Sequence, residues 1–145
     1  MKACLLGIAL VSLTLSVAAQ PAPQPLKTTA DARRVADEVV ALFKTEKFPE
    51  AYEILKPHWP LPQVEIDSLA NQTHTQWPMV RQRFGASLAI EFIRERKGGA
   101  SLVELTYLQK FERHGVRWTF LFYKPQDRWL VNAVAWDDDI DLLVE

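Results

Sequence analysis

The chain has 145 residues, 17 basic against 18 acidic, and a formal charge of −1. That balance draws no basic stripe for nucleic acid and no strong acidic field to steer a cation. The single cysteine, Cys4, sits before the first apolar run, so a disulfide framework or a Cys-ligated metal in the folded part is excluded.

The chain opens with Lys2, an apolar stretch over residues 5–17, and the small residues Val17-Ala18-Ala19. This order predicts a secretory signal peptide over residues 1–19, cleaved after Ala19, too short for a stable membrane anchor. The expected destination is the periplasm or the exterior. Loss of Lys2 takes the 17 basic residues to 16 against 18 acidic ones, a charge of −2. Pro21, Pro23 and Pro25 then predict an extended linker over residues 20–27 with no fold of its own. Residues 28–145 are long enough for one core and too short for two.

Thr28 followed by Asp31 reads as a capped helix start. Ala32, Val35, Ala36, Val39, Leu42 and Phe43 then recur at helical spacing. Pro49 opens a second, short helix through Ala51, Tyr52 and Leu55, which Pro57 and Pro60 end. Pro62 opens a third through Val64, Ile66, Leu69 and Ala70. Pro78 is expected to interrupt it, leaving residues 77–84 as a separate turn closed by Gly85.

Beyond Gly85 the period changes to two. Strands are predicted over residues 88–96, 101–111, 116–123 and 129–136. Turns are centred on Gly98-Gly99, His114-Gly115 and Gln126-Asp127. Consecutive strands with short turns lie side by side as an antiparallel meander. The expected fold class is therefore α+β, with N-terminal helices packed on a curved, four-stranded antiparallel β-meander.

Threading the turns pairs Phe92 with Leu105, Ile90 with Tyr107, Tyr107 with Phe122, Gln109 with Phe120, Phe122 with Val131 and Trp118 with Ala135. Glu112 is expected to meet Arg117. One face then collects Leu88, Ile90, Phe92, Leu105, Tyr107, Gln109, Phe111, Trp118, Phe120, Phe122 and Val131 for the helices to cover. The other carries Glu91, Glu95, Glu104 and Glu112, together with Leu108, Leu121, Leu130, Val134 and Trp136. Those five apolar residues are the candidate interface, for a homodimer or a protein partner. The alternative is that residues 140–144 fold over them.

The order of helices before an aromatic-rich meander resembles the nuclear transport factor 2-like superfamily of cystatin-like α+β cone folds, and in particular its small exported domains of unknown function. The residues carrying the resemblance are Gln76-Trp77, Val80, Arg83 and Phe84-Gly85, then Arg117-Trp118 through Lys124, and Asp127-Arg128-Trp129-Leu130. The superfamily includes isomerases, cyclases, dehydratases and binding modules, so it implies a fold and leaves the function open. Its isomerase-like enzymes place carboxylates or a His inside the cone. Here the threaded strand carboxylates all go to the other side. Tyr107, Gln109 and Trp118 remain as inner-face candidates for a ligand pocket, with His74 and Trp77 from the helical side. Glu53, Glu65 and Asp67 are the only lid carboxylates an acid/base enzyme could recruit.

Nothing else carries chemistry. His58, His74 and His114 have no metal-ligand spacing, and the Asp137-Asp138-Asp139 run with Asp141 lacks the glycine and distal Glu of a calcium loop. No Gly-x-Ser-x-Gly elbow is present, and no helix follows Gly98-Gly99 to make a phosphate cradle. No metal and no cofactor are expected. The reading is a non-catalytic, exported protein-interaction or self-association module. Its alternative is a small-molecule binder or enzyme with a pocket between helices and sheet.

Overall fold

The computed structural model describes residues 21–144. The expected signal peptide and its cleavage after Ala19 lie outside the described residues. Three helices precede a four-stranded antiparallel sheet, an α+β fold: α1 Thr29–Lys44, α2 Phe48–Leu55, α3 Gln63–Phe84, then β1 Ser87–Gly98, β2 Leu102–Phe111, β3 Gly115–Tyr123 and β4 Leu130–Asp137. The sheet order is β1-β2-β3-β4, so β1 and β4 are its two edges.

Thr28 and Asp31 form the expected capping box at α1, each side chain bonding the other's backbone N–H. Ala32, Val35, Ala36, Val39, Val40 and Phe43 form the buried stripe of that helix. Residues 24–26 are not free linker. Leu26 is buried, and it exchanges two backbone hydrogen bonds of 2.8 Å with Trp129, just before β4. Gln24 bonds the Pro57 carbonyl, and His58 Nδ1 lies 2.6 Å from the Gln24 carbonyl oxygen.

The expected break at Pro78 does not occur; α3 runs unbroken through it. A proline there removes one N–H and crowds the carbonyl of His74. What carries the helix through is its buried stripe of Ile66, Ala70, Thr73, Trp77, Val80 and Phe84, which keeps helical spacing on both sides of the proline. Gly85 ends the helix at φ 89°, and a Cβ there would stand 2.2 Å from Glu112 Oε2 and 2.9 Å from Glu112 Cβ. Glu112 Oε2 accepts from the Ala86 N–H at 3.0 Å, so it is fixed in place. Gly85→Ala should therefore lower stability by about 1–3 kcal/mol in a urea melt, combining left-handed strain with the lost Glu112 contact.

The strand registers differ from the threaded ones, with different consequences. In β1–β2 the pairing runs Gly98↔Leu102, with a shift between Phe92 and Arg94, so Phe92 opposes Tyr107 and Ile90 opposes Gln109. Beyond that shift Glu95 aligns with Leu105, so it leaves the face carried by Glu104. Leu88, expected in the core, is 56% exposed beside a second irregularity. In β2–β3 Tyr107 opposes Trp118 and Gln109 opposes Val116. The offset from the threaded pairing is even, so the faces of both strands survive it. Glu112 does not meet Arg117, which instead holds Asp137 through bonds of 3.0 and 2.7 Å.

In β3–β4, Phe122 opposes Val131 as threaded, and then the register shifts at Asn132. From there Val134 opposes Phe120 and Trp136 opposes Trp118. One extra residue has turned Val134 and Trp136 from the outer face to the inner one, and Ala133 and Ala135 the other way. Packing explains the preference: the Trp136 ring reaches Trp77 at 5.5 Å and Trp118 at 6.1 Å, where alanines would leave a void.

Candidate functional site

The inner face is filled where a central pocket was expected. Phe111, Trp118, Phe120 and Phe122 are all buried, and Phe43 stacks on Trp118 with ring centroids 4.0 Å apart. Gln109 is 0% exposed and spends both ends of its amide. Its carbonyl accepts from Trp118 Nε1 at 2.9 Å, and its NH₂ donates to Ser87 Oγ at 2.8 Å. Gln109 and Trp118 thus satisfy one another inside the core.

Tyr107 lies opposite Trp118 on the neighbouring strand, with its hydroxyl under α1. Its hydroxyl donates to Asp37 Oδ1 at 2.7 Å, the same oxygen that Arg33 Nε reaches at 2.8 Å. The Arg33 guanidinium lies 3.3 Å from the centroid of the Phe92 ring. Burial, then the Asp37 carboxylate, pushes the Tyr107 phenol far above the ordinary tyrosine range. A groove of about 350 Å³ opens here between α1 and β1. Asp37 Oδ1 already accepts two hydrogen bonds, so the trio works as a clasp of α1 on the sheet.

His74 is exposed on α3 with its ring 6.4 Å from Phe48, and Trp77 is buried behind Trp136. The structure therefore keeps Tyr107, Gln109, Trp118 and Trp77 on one packed face, with Trp77 and Trp118 at 5.7 Å, and leaves His74 exposed outside it.

The outer face is also not the surface expected. Val134 and Trp136 have left it. Leu108, Leu121 and Leu130 are half-buried, and Thr106 among them is 1% exposed. A short 3-10 turn, Ile140–Leu143, lies against β3; Ile140 and Leu108 both crowd Gly115. Arg94 fastens the turn by donating to the carbonyls of Leu142 at 2.8 Å and Leu143 at 3.4 Å. The chain's own C-terminal segment thus occupies part of the proposed interface.

An open cleft lies between α3 and β4. Two depressions of about 260 and 270 Å³ share Gln76 and Trp136 as their common wall. The first has Tyr52, Leu69, Gln72 and Thr73 around it. Thr73 donates to the Leu69 carbonyl at 3.0 Å, and the Tyr52 hydroxyl reaches Thr73 Oγ1 only at 3.4 Å. The second has Met79, Val80, Arg83, Phe84 and Asp138. Met79 is 66% exposed. Next to both, the indole N–H of Trp77 is buried with no hydrogen-bond partner, an arrangement that costs about 1–3 kcal/mol.

Charge is confined to one end of this surface, at Arg83 and Asp138. Residues 68–80 of α3 and 130–136 of β4 contain no Asp, Glu, Lys or Arg. The nearest ions are already paired, Arg83 with Asp138 at 3.5 Å at one end and Lys56 with Asp67 at 2.6 Å at the other. Sequence reasoning placed Trp136 on the wrong side and so missed the cleft. The signal available was the spacing of the large residues in β4: Val131, Val134 and Trp136 do not alternate regularly.

Among the described residues no cluster of His, Cys, Asp and Glu could hold a metal ion, and no helix is long and apolar enough to cross a membrane. Comparison with protein-family models, with curated proteins and with solved structures returned no match.

Proposed function

We propose that this is an exported, non-catalytic binding module of the nuclear transport factor 2-like kind, and that it recognises an uncharged segment of a protein partner in the α3–β4 cleft. The observation that carries this is the run of uncharged residues flanking Trp136, 68–80 on α3 and 130–136 on β4. Some 24% of the chain is charged, yet residues 68–80 of α3 and 130–136 of β4 carry no charge, and the charges that line the cleft, Arg83 and Asp138, sit at one end and pair with each other. Depletion of charge with an aromatic at the centre is the composition of an interface core. Exposed Gln72 and Gln76 supply neutral hydrogen bonds at its mouth. A charged occupant would find every nearby ion already paired. Relative to the sequence-based expectation, the partner surface moves from the outer sheet face to the other side of β4.

The test is selection of a displayed library of random dodecapeptides on the purified protein. Enriched peptides should be uncharged. Amide shifts on titration should cluster at Gln72, Gln76 and residues 134–136. Gln76→Glu, a change on an exposed position, should weaken binding at least about tenfold without moving the thermal midpoint. Failure to enrich any peptide, enrichment of charged ones, or shifts centred on Leu108, Leu121 and Leu130 would each overturn the reading.

A further inference from the structure

We infer that the partner segment binds as an added β-strand, pairing its backbone with the free edge of β4. This rests on the proposed use of the α3–β4 cleft and specifies how the occupant lies in it.

Three observations converge. The first is a contrast between the two sheet edges. β1 is guarded by Glu91, Arg94, Glu95, Arg96 and Lys97, whereas β4 carries no charge before Asp137. Edge strands present unpaired N–H and C=O groups, and chains that do not pair them ordinarily place charges along them. This protein does so on one edge and not on the other.

The second is that a single residue from outside the sheet already pairs at this end of it. Leu26 sits antiparallel to Trp129, with hydrogen bonds of 2.8 Å in both directions. The backbone leading into β4 is therefore placed to accept an extended segment, and residues 24–26 cover only its start. The chain then turns away to Pro57 and His58. Residues 131–136 remain beyond it.

The third is side-chain room. The two depressions stand side by side along β4, separated by Trp136. An extended peptide sends alternate side chains to one face, so successive inward residues can fill successive depressions while the backbone pairs with the edge. A second copy of this chain fits less well. An antiparallel β4 pair that avoided Leu26 would lay the Asp137–Asp139 run of one copy against the neutral strand of the other. The occupant is therefore an extended, uncharged peptide of another protein.

Hydrogen exchange of the protein with its tightest selected dodecapeptide tests this. Amides within residues 131–136 should slow at least about tenfold. Ala135→Lys, which adds a guarding charge at an exposed edge position, should weaken binding by a similar factor and leave the fold unchanged. Leu88→Lys on β1, also at an exposed position, should do neither. If the peptide binds but β4 exchange is unchanged, strand addition is overturned and the cleft reading stands. If the protein alone sediments as a dimer that Ala135→Lys dissolves, the occupant is a second copy and the inference is overturned. If no peptide is enriched, both fall together.

Discussion

Replacing Phe43 with alanine should remove about 3–5 kcal/mol of stability. The Phe43 ring meets Trp118 at 4.0 Å, Phe48 at 5.7 Å, Tyr52 at 5.9 Å and Phe120 at 6.3 Å. It is therefore the point where α1, α2 and the sheet share one contact. Its four neighbours are large, rigid and themselves buried, so they cannot collapse into the space. An equilibrium urea titration measures the loss. A cost under about 1 kcal/mol would mean the site relaxes and the ring cluster is not the keystone described.

The second large effect is alkaline. Tyr107 and Tyr52 are both buried, and burial raises both phenols above their ordinary value; at Tyr107 the Asp37 carboxylate adds to the shift. In the unfolded chain a tyrosine loses its proton near pH 10. Below that pH both states hold the proton and stability is full. Above it the unfolded state sheds protons that the folded state retains, so stability falls by about 1.4 kcal/mol per pH unit for each such tyrosine. Lys56, raised by its bonds to Asp67 and Glu53, titrates in the same direction. The difference between wild type and Tyr107→Phe is therefore the readout. The variant should lose about 1 kcal/mol at neutral pH with its hydrogen bond to Asp37, and then lose less per pH unit above pH 10. Parallel curves for the two proteins would refute the assignment.

The fold was legible because its signals are local and repeated. The Thr28–Asp31 capping box, the helical stripe to Phe43 and the change to period two after Gly85 each name an element without help from the others. Face assignment in β2 and β3 survived a wrong turn length because the error was even. In β4 no such protection existed. A bulge inserts one residue, and Asn132 carries no glycine or proline to announce it, so parity failed and took Trp136 with it. Pro78 misled for the opposite reason. A strong local rule was outweighed by packing of Trp77, Val80 and Phe84, a tertiary effect whose only trace in the sequence is that their spacing continues past the proline. The candidate pocket residues were chosen for polarity on a buried face. Gln109 shows why this fails: a buried amide is most simply there to satisfy a buried indole, and its partner Trp118 came from the neighbouring strand.

The bond between Leu26 and Trp129 also sets how the molecule answers to force. Pulling on the segment before α1 loads the contacts of residues 24–26 first, and those contacts are a single antiparallel residue pair and the link to Pro57 and His58. Opening that pair frees the Trp129 backbone and lengthens the bare margin of the sheet, while the aromatic interior around Phe43 stays closed. Loosening of residues 24–26 and access to the β4 edge are thus coupled through Leu26.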